Sequence, residues 1–158
     1  MPLSEADLAI YRHFGHLTSP GVIDAATALA LIDDIQGWGE SFLAELPAQQ
    51  RAWYVDGGVK ARAVLRKLDN PHHHRAAVRD LARTPALVER VEALIGRGVS
   101  LYFSQVFFKP PEGGGPKPAH QNNFYFGPNL EDGVVTAWVA LDDATLENGC
   151  LYFGEGTH

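Results

Sequence analysis

Leu101-Tyr102-Phe103-Ser104-Gln105-Val106-Phe107-Phe108 is the segment on which the architecture turns. It is dense in aromatic and β-branched residues and is stopped by Pro110-Pro111, the pattern of a buried strand. Downstream, Glu112 to Pro118 holds three consecutive glycines and two prolines and reads as a loop. Phe124-Tyr125-Phe126 then predicts a second strand, followed by a turn around Gly127-Pro128. Val134 to Leu141 predicts a third, Asp142-Asp143 and Asn148-Gly149 are turns, and Cys150 to Phe153 predicts a fourth.

Upstream the pattern changes to helical spacing. Ser4-Glu5-Ala6-Asp7 has the form of a capping box, with Leu8, Tyr11 and Phe14 as the apolar face and Gly15 as the stop. From Asp24, Ala28, Leu31, Ile32, Ile35, Trp38 and Phe42 recur at helical intervals, although Gly37 and Gly39 argue for an early end. Ala61 to Leu68 reads as strand or loop, Asn70-Pro71 as a break, and a helix is expected from about His73 to Arg83. Thr84-Pro85 is a cap with proline at the first helical position; Leu87, Val91, Leu94 and Ile95 form the expected buried stripe, and Gly96 closes it. His72 to His74 are consecutive, so they diverge and cannot all meet one ion; they read as a solvated helix start.

Helices followed by short strands with Gly/Pro turns predict an α+β chain with a mainly β core. The N-terminal helices (1–98) would pack on a partial double-stranded β-helix, a cupin-like jelly roll, whose first strands occupy 99–158. Four predicted strands are half of the roughly eight a jelly roll takes, so 1–158 is expected to be a single domain, incomplete at its C-terminus. Its sheet edges would stay open, and a homodimer is the expected cover.

Composition removes whole classes of function. The 158 residues are 46% apolar and carry a formal net charge of -6, so no basic footprint exists for nucleic acid. Residues 99–158 hold seven acids against two bases, Lys109 and Lys117. The single cysteine, Cys150, excludes an intrachain disulfide and a Cys-rich zinc site, and reads as a small buried hydrophobe. No secretory signal and no membrane-length apolar run is visible, which predicts a cytoplasmic protein without membrane contact.

Potential ligands are densest at Ala119-His120-Gln121-Asn122-Asn123. In a strand, residues two apart share a side, so His120 and Asn122 can address one point. A His-x-Asp pair in that geometry supplies two ligands of a 2-His-1-carboxylate ferrous site; here asparagine stands second.

The order and spacing of Gln105-Val106-Phe107-Phe108-Lys109-Pro110-Pro111, His120-Gln121-Asn122-Asn123-Phe124-Tyr125-Phe126, Thr136-Ala137-Trp138-Val139-Ala140-Leu141, Glu147-Asn148-Gly149-Cys150-Leu151 and Gly156-Thr157-His158 resemble the phytanoyl-CoA dioxygenase family. The resemblance covers about residues 85–158. It implies a double-stranded β-helix binding Fe(II) and 2-oxoglutarate, and an oxygenase that hydroxylates a small organic substrate or acyl thioester. Carried over by position, His120 is an iron ligand and Asn122 takes the carboxylate's place. Trp138 and Gln105 line the oxoglutarate pocket, and Lys67 reaches the cosubstrate. Each has a plainer reading: Trp138 as core, Gln105 as partner to a backbone group, Lys67 as solvated charge. His158 falls in a segment that resembles a structural turn of the family.

Two departures set the expectation for activity. An amide oxygen is a neutral, poor donor to Fe(II), and the distal histidine and arginine of the family lie beyond His158. Impaired metal binding and impaired hydroxylation are therefore expected of these 158 residues. A non-catalytic small-molecule-binding module on the same fold is the alternative.

Overall fold

The computed structural model describes residues 2–57, 63–110, 116–122, 124 and 133–158. The predicted turn at Gly127-Pro128, most of the strand around Tyr125 and the triple glycine lie outside them.

Helix α1 (Glu5–Phe14) starts on a true capping box: Ser4 Oγ accepts from the Asp7 amide, and Asp7 accepts from the Ser4 amide at 2.8 Å. Helix α2 (Ala25–Glu45) starts on Asp24, whose carboxylate accepts from the Thr27 amide at 2.7 Å. It runs straight through Gly37 and Gly39, against the early end expected there. Gly39 serves proximity: a Cβ would stand 2.7 Å from Leu65 Cδ2 and 3.3 Å from Leu68 Cδ1, so its absence lets the helix lie close on the strands.

After α3 (Ala48–Arg51), strand β1 (Val55–Gly57) pairs antiparallel with β2 (Ala63–Leu65), and β3 (Lys67–Asp69) follows. Of the ambiguous segment from 61 to 68, Ala63–Leu65 and residues 67–68 are strand, and 61–62 lie outside the described residues. The helix expected at 73–83 is two pieces, α4 (Pro71–His74) and α5 (Ala76–Ala82). Arg75 between them is extended, at φ -119° and ψ 120°, and its guanidinium forks onto Asp34 of α2, with Nε 2.9 Å from Oδ2 and Nη2 on Oδ1. That cross-helix ion pair accompanies the break, a tertiary contact that local periodicity does not reveal.

Helix α6 (Pro85–Ile95) has the predicted bounds, but the Thr84 hydroxyl donates back to Leu81 C=O at 3.0 Å and caps nothing. Its predicted apolar stripe is half-buried, and its buried residue is Arg90. The Arg90 guanidinium donates to Ser19 Oγ at 2.7 Å, Pro20 C=O at 3.1 Å and Ala86 C=O, clamping the N-terminal segment onto α6. Replacing Arg90 by alanine is expected to lower the unfolding free energy by about 2 kcal/mol, because the bonds of a buried guanidinium that tie the N-terminal segment to α6 are lost; urea unfolding at constant pH measures it.

Strand β4 (Gln105–Phe107) pairs antiparallel with β3, placing Lys67 opposite Phe107, Leu68 opposite Val106 and Asp69 opposite Gln105. The core gathers where α2 and α5 meet this ladder: Leu31, Ile35, Leu68 and Val78 are buried together, with Trp38, Phe42, Val106, Phe108 and Leu141 around them.

The jelly roll is the point of difference. Among the described residues the sheets are two-stranded, with no closed barrel. Residues 134–141 and 150–153, predicted as strands, have no ladder; a strand exists only where a neighbour takes its amides and carbonyls, and no described segment does so here. Phe124 instead donates to Gln121 C=O at 3.2 Å within a helical turn. The consequence appears in the surface. The chain exposes 11408 Å², whereas a folded monomer of its mass exposes about 7,800 Å². Tyr102, Phe124, Leu146, Tyr152 and Phe153 are among the apolar side chains left exposed.

Candidate functional site

Alternation along β3 sends Lys67 and Asp69 to one face, and the antiparallel register sets Gln105 directly across from Asp69. The Asp69 carboxylate therefore collects three donors. Lys67 Nζ lies 2.9 Å from Oδ2 and 3.2 Å from Oδ1, Trp53 Nε1 donates to Oδ2 at 2.9 Å, and Gln105 Nε2 donates to Oδ1. Lys67 is 6% exposed, and its ammonium also sits 3.9 Å from the centroid of the Trp53 ring. Two of the sequence-predicted cosubstrate residues, Lys67 and Gln105, are thus brought together, and neither plainer reading holds: Lys67 is buried, and Gln105 bonds a carboxylate.

Burial pushes the Asp69 carboxyl up, but hydrogen bonds from Gln105, Trp53 and Lys67 and the charge of Lys67 outweigh it, and its pKa lies below the usual carboxylate range. A depressed carboxylate contributes stability that is present above its unfolded pKa of about 3.9 and is lost as pH falls through the folded value. Asp69→Asn is therefore expected to flatten the fall in Tm below about pH 4, as thermal melts across an acid series would record.

Lys117, three residues before His120, reaches the same ladder. Lys117 Nζ lies 4.9 Å from the centroid of Phe107, the cross-strand partner of Lys67. Burial lowers the Lys117 pKa, and the nearby charges of Arg66 and Lys67 push it the same way. His120 itself is exposed, with Nδ1 2.8 Å from Pro118 C=O. Asn122 donates through Nδ2 to Thr136 Oγ1 at 2.8 Å, on the segment that bears Trp138 two residues further along. Trp138 is 48% exposed, so it is not the core residue of the plainer reading. Because Asn122 stands in a helical turn, strand alternation no longer supports convergence of His120 with Asn122.

The histidine run is only partly solvated. His72 Nδ1 lies 2.6 Å from Ser104 Oγ, and His74 stacks on Trp38 with ring centroids 5.2 Å apart. Burial lowers the His72 pKa, with the charges of His73, Arg79 and His74 adding to it. No cluster of three His, Cys, Asp or Glu side chains able to hold a metal occurs among the described residues. His158 packs against Gly15, where a Cβ would fall 2.4 Å from its ring, and the adjacent Gly156 amide donates to Phe14 C=O at 3.0 Å.

The family model of phytanoyl-CoA dioxygenase (PhyH) matches residues 11–158. The chain belongs to this family. A probable alpha-ketoglutarate-dependent hypophosphite dioxygenase of Stutzerimonas stutzeri is 32% identical over 95 residues, which are 60% of this chain and 32% of that protein. The human peroxisomal phytanoyl-CoA dioxygenase is 32% identical over 77 residues, 47% of this chain and 23% of that protein. Dioxygenase lolE1 of Epichloe uncinata is 26% identical over 163 aligned positions, 99% of this chain and 59% of that protein. The aligned part is thus about a third of the hypophosphite dioxygenase's length and less of the human enzyme's. No solved structure matches. Family membership implies a cupin-type jelly roll, and the relatives are dioxygenases. No helix among the described residues is long and apolar enough to cross a membrane.

The donor sets differ in how well they suit the groups used by such relatives. His120 offers an imidazole, but Asn122 offers a neutral amide whose N–H is already given to Thr136, and ferrous sites of this kind need a carboxylate. These two residues do not fit iron. Lys67 and Gln105 do fit the acid group of an oxoacid, because an ammonium and a primary amide each carry more N–H donors than Asp69 takes, whereas the single N–H of Trp53 is given to Asp69. Trp53 and Asp69 escaped sequence reasoning. The i, i+2 pair Lys67 and Asp69 was visible, but nothing local linked it to Trp53, 16 residues before Asp69.

Proposed function

We propose that this chain is the cosubstrate-side part of a 2-oxoglutarate-dependent dioxygenase that hydroxylates a small organic substrate or acyl thioester. Asparagine at position 122 weakens its metal site and impairs its activity. The observation that carries the reading is the convergence of Lys67, Gln105 and Trp53 on one carboxylate. In this reading Lys67 neutralises an acid group of the cosubstrate, Gln105 orients it, Trp53 backs the Lys67 ammonium with its ring face, Trp138 walls the pocket, and His120 offers its imidazole. A second copy of the chain closes over the exposed aromatic side chains.

The bond from Asn122 to Thr136 favours one alternative, a non-catalytic module that retains the acid-binding donors and has lost the metal. An anaerobic titration separates the two. Fe(II) added with 2-oxoglutarate is expected to give at most a weak visible charge-transfer band, and turnover in air little succinate. A strong band with stoichiometric succinate overturns the impairment. Calorimetry without metal is expected to detect 2-oxoglutarate binding that Lys67→Met removes, and its absence from the unsubstituted chain overturns the cosubstrate assignment.

A further inference from the structure

We propose that Asp69 is a positioning residue, which aims the Lys67 ammonium and the Gln105 amide for recognition of an anionic ligand. The functional part of this inference rests on the cosubstrate reading of Lys67 and Gln105; the positioning itself rests on geometry.

Three separate elements are tied by one side chain. Asp69 accepts from Lys67 on its own strand, from Gln105 directly across the ladder, and from Trp53 just after α3. Among the described residues, the Lys67 ammonium is held by the Asp69 carboxylate and the Trp53 ring face. A lysine has four rotatable side-chain bonds and a compact charge, so a carboxylate on one side and an indole on the other are what give it a single direction. Gln105 is constrained in the same way. Donation of one Nε2 hydrogen to Asp69 fixes the orientation of the amide and leaves the second Nε2 hydrogen for another acceptor. The arrangement is costly to bury, and an apolar pair of similar volume would stabilise a small ladder at least as well. Its use is direction: two donors are held in register before any ligand arrives, so less ordering is required on binding.

Per-residue reductive methylation of the folded full chain, read by mass spectrometry, tests the positioning without any ligand. Lys67 is expected to label about tenfold more slowly than exposed Lys109, because the reagent must wait for local opening. Asp69→Asn should bring the two rates close together, and Asp69→Glu should restore slow labelling. Gln105→Leu, which leaves the ion pair intact and so serves as a second variant milder than Asp69→Asn, should raise the Lys67 rate by about threefold. Equal rates for Lys67 and Lys109 in the unsubstituted chain, or an unchanged Lys67 rate in both Asp69→Asn and Gln105→Leu, overturn the proposal.

Calorimetry with 2-oxoglutarate is the second arm. Affinity is expected to fall about tenfold in Asp69→Asn and to recover in Asp69→Glu. A lower Tm with unchanged 2-oxoglutarate affinity marks Asp69 as structural only and overturns its positioning role. Labelling that follows the expected pattern while neither the unsubstituted chain nor Lys67→Met binds 2-oxoglutarate supports the positioning and removes the cosubstrate assignment.

Discussion

Leu68→Ala is expected to lower the unfolding free energy by about 2–5 kcal/mol, the range for a buried leucine truncated in a core that cannot collapse. Leu68 is fully buried and is the residue through which the β3–β4 ladder reaches the helices. Its neighbours in the core are Leu31 and Ile35 on α2 and Val78 on α5, so Leu68 sits where two helices and the ladder meet. The cavity left behind would therefore sit at a junction, and closing it would require α2 to approach β3. Gly39 already lets α2 lie close to Leu65 and Leu68, so little further approach is available. Denaturant unfolding followed by circular dichroism measures the loss, and a change below about 1 kcal/mol would place the core elsewhere. The same variant should also perturb Lys67 and Asp69, which flank Leu68 on the opposite face of the strand.

The second large effect is a gain. Asn122→Asp is expected to raise Fe(II) affinity by at least about tenfold, since it turns a neutral amide oxygen into an anionic one of the kind that suits a ferrous ion. The geometry accommodates the exchange: the Thr136 hydroxyl, which now accepts from Asn122 Nδ2, can donate to one carboxylate oxygen and leave the other free. Anaerobic titration of the two chains side by side gives the ratio. If the affinities are equal, position 122 does not face the imidazole of His120, and the residues carried over from the family do not form one site here. Asn122→Ala is the matched control, expected to bind no more tightly than the parent.

What could be read without coordinates was whatever is decided within a few residues. The Ser4–Asp7 box, the Asp24 cap, the Gly15 stop and the bounds of α6 depend on bonds between residues three or four apart, and each appears where expected. Local pattern also marked Lys67 and Gln105 through their resemblance to family positions. It missed features created by distant partners. Arg75 leaves the helix where its guanidinium meets Asp34, and Gly39 stays in one where β2 and β3 need the space. Arg90 is buried because Ser19 and Pro20 receive its protons. The segments at 134–141 and 150–153, predicted as strands, have no ladder among the described residues, because an apolar run creates a propensity and a ladder requires a neighbour.

Sequence alone therefore determined the family and the caps of α1 and α2, and it named His120 and Asn122 as candidate ligands. Tertiary structure alone decided that Lys67 is buried, that Gln105 faces Asp69 across a ladder, and that Trp53 completes the set. The physical reason is range. Backbone caps and charge sums are local or additive quantities, whereas a carboxylate with three donors exists only after strand register has brought together residues from 53 to 105.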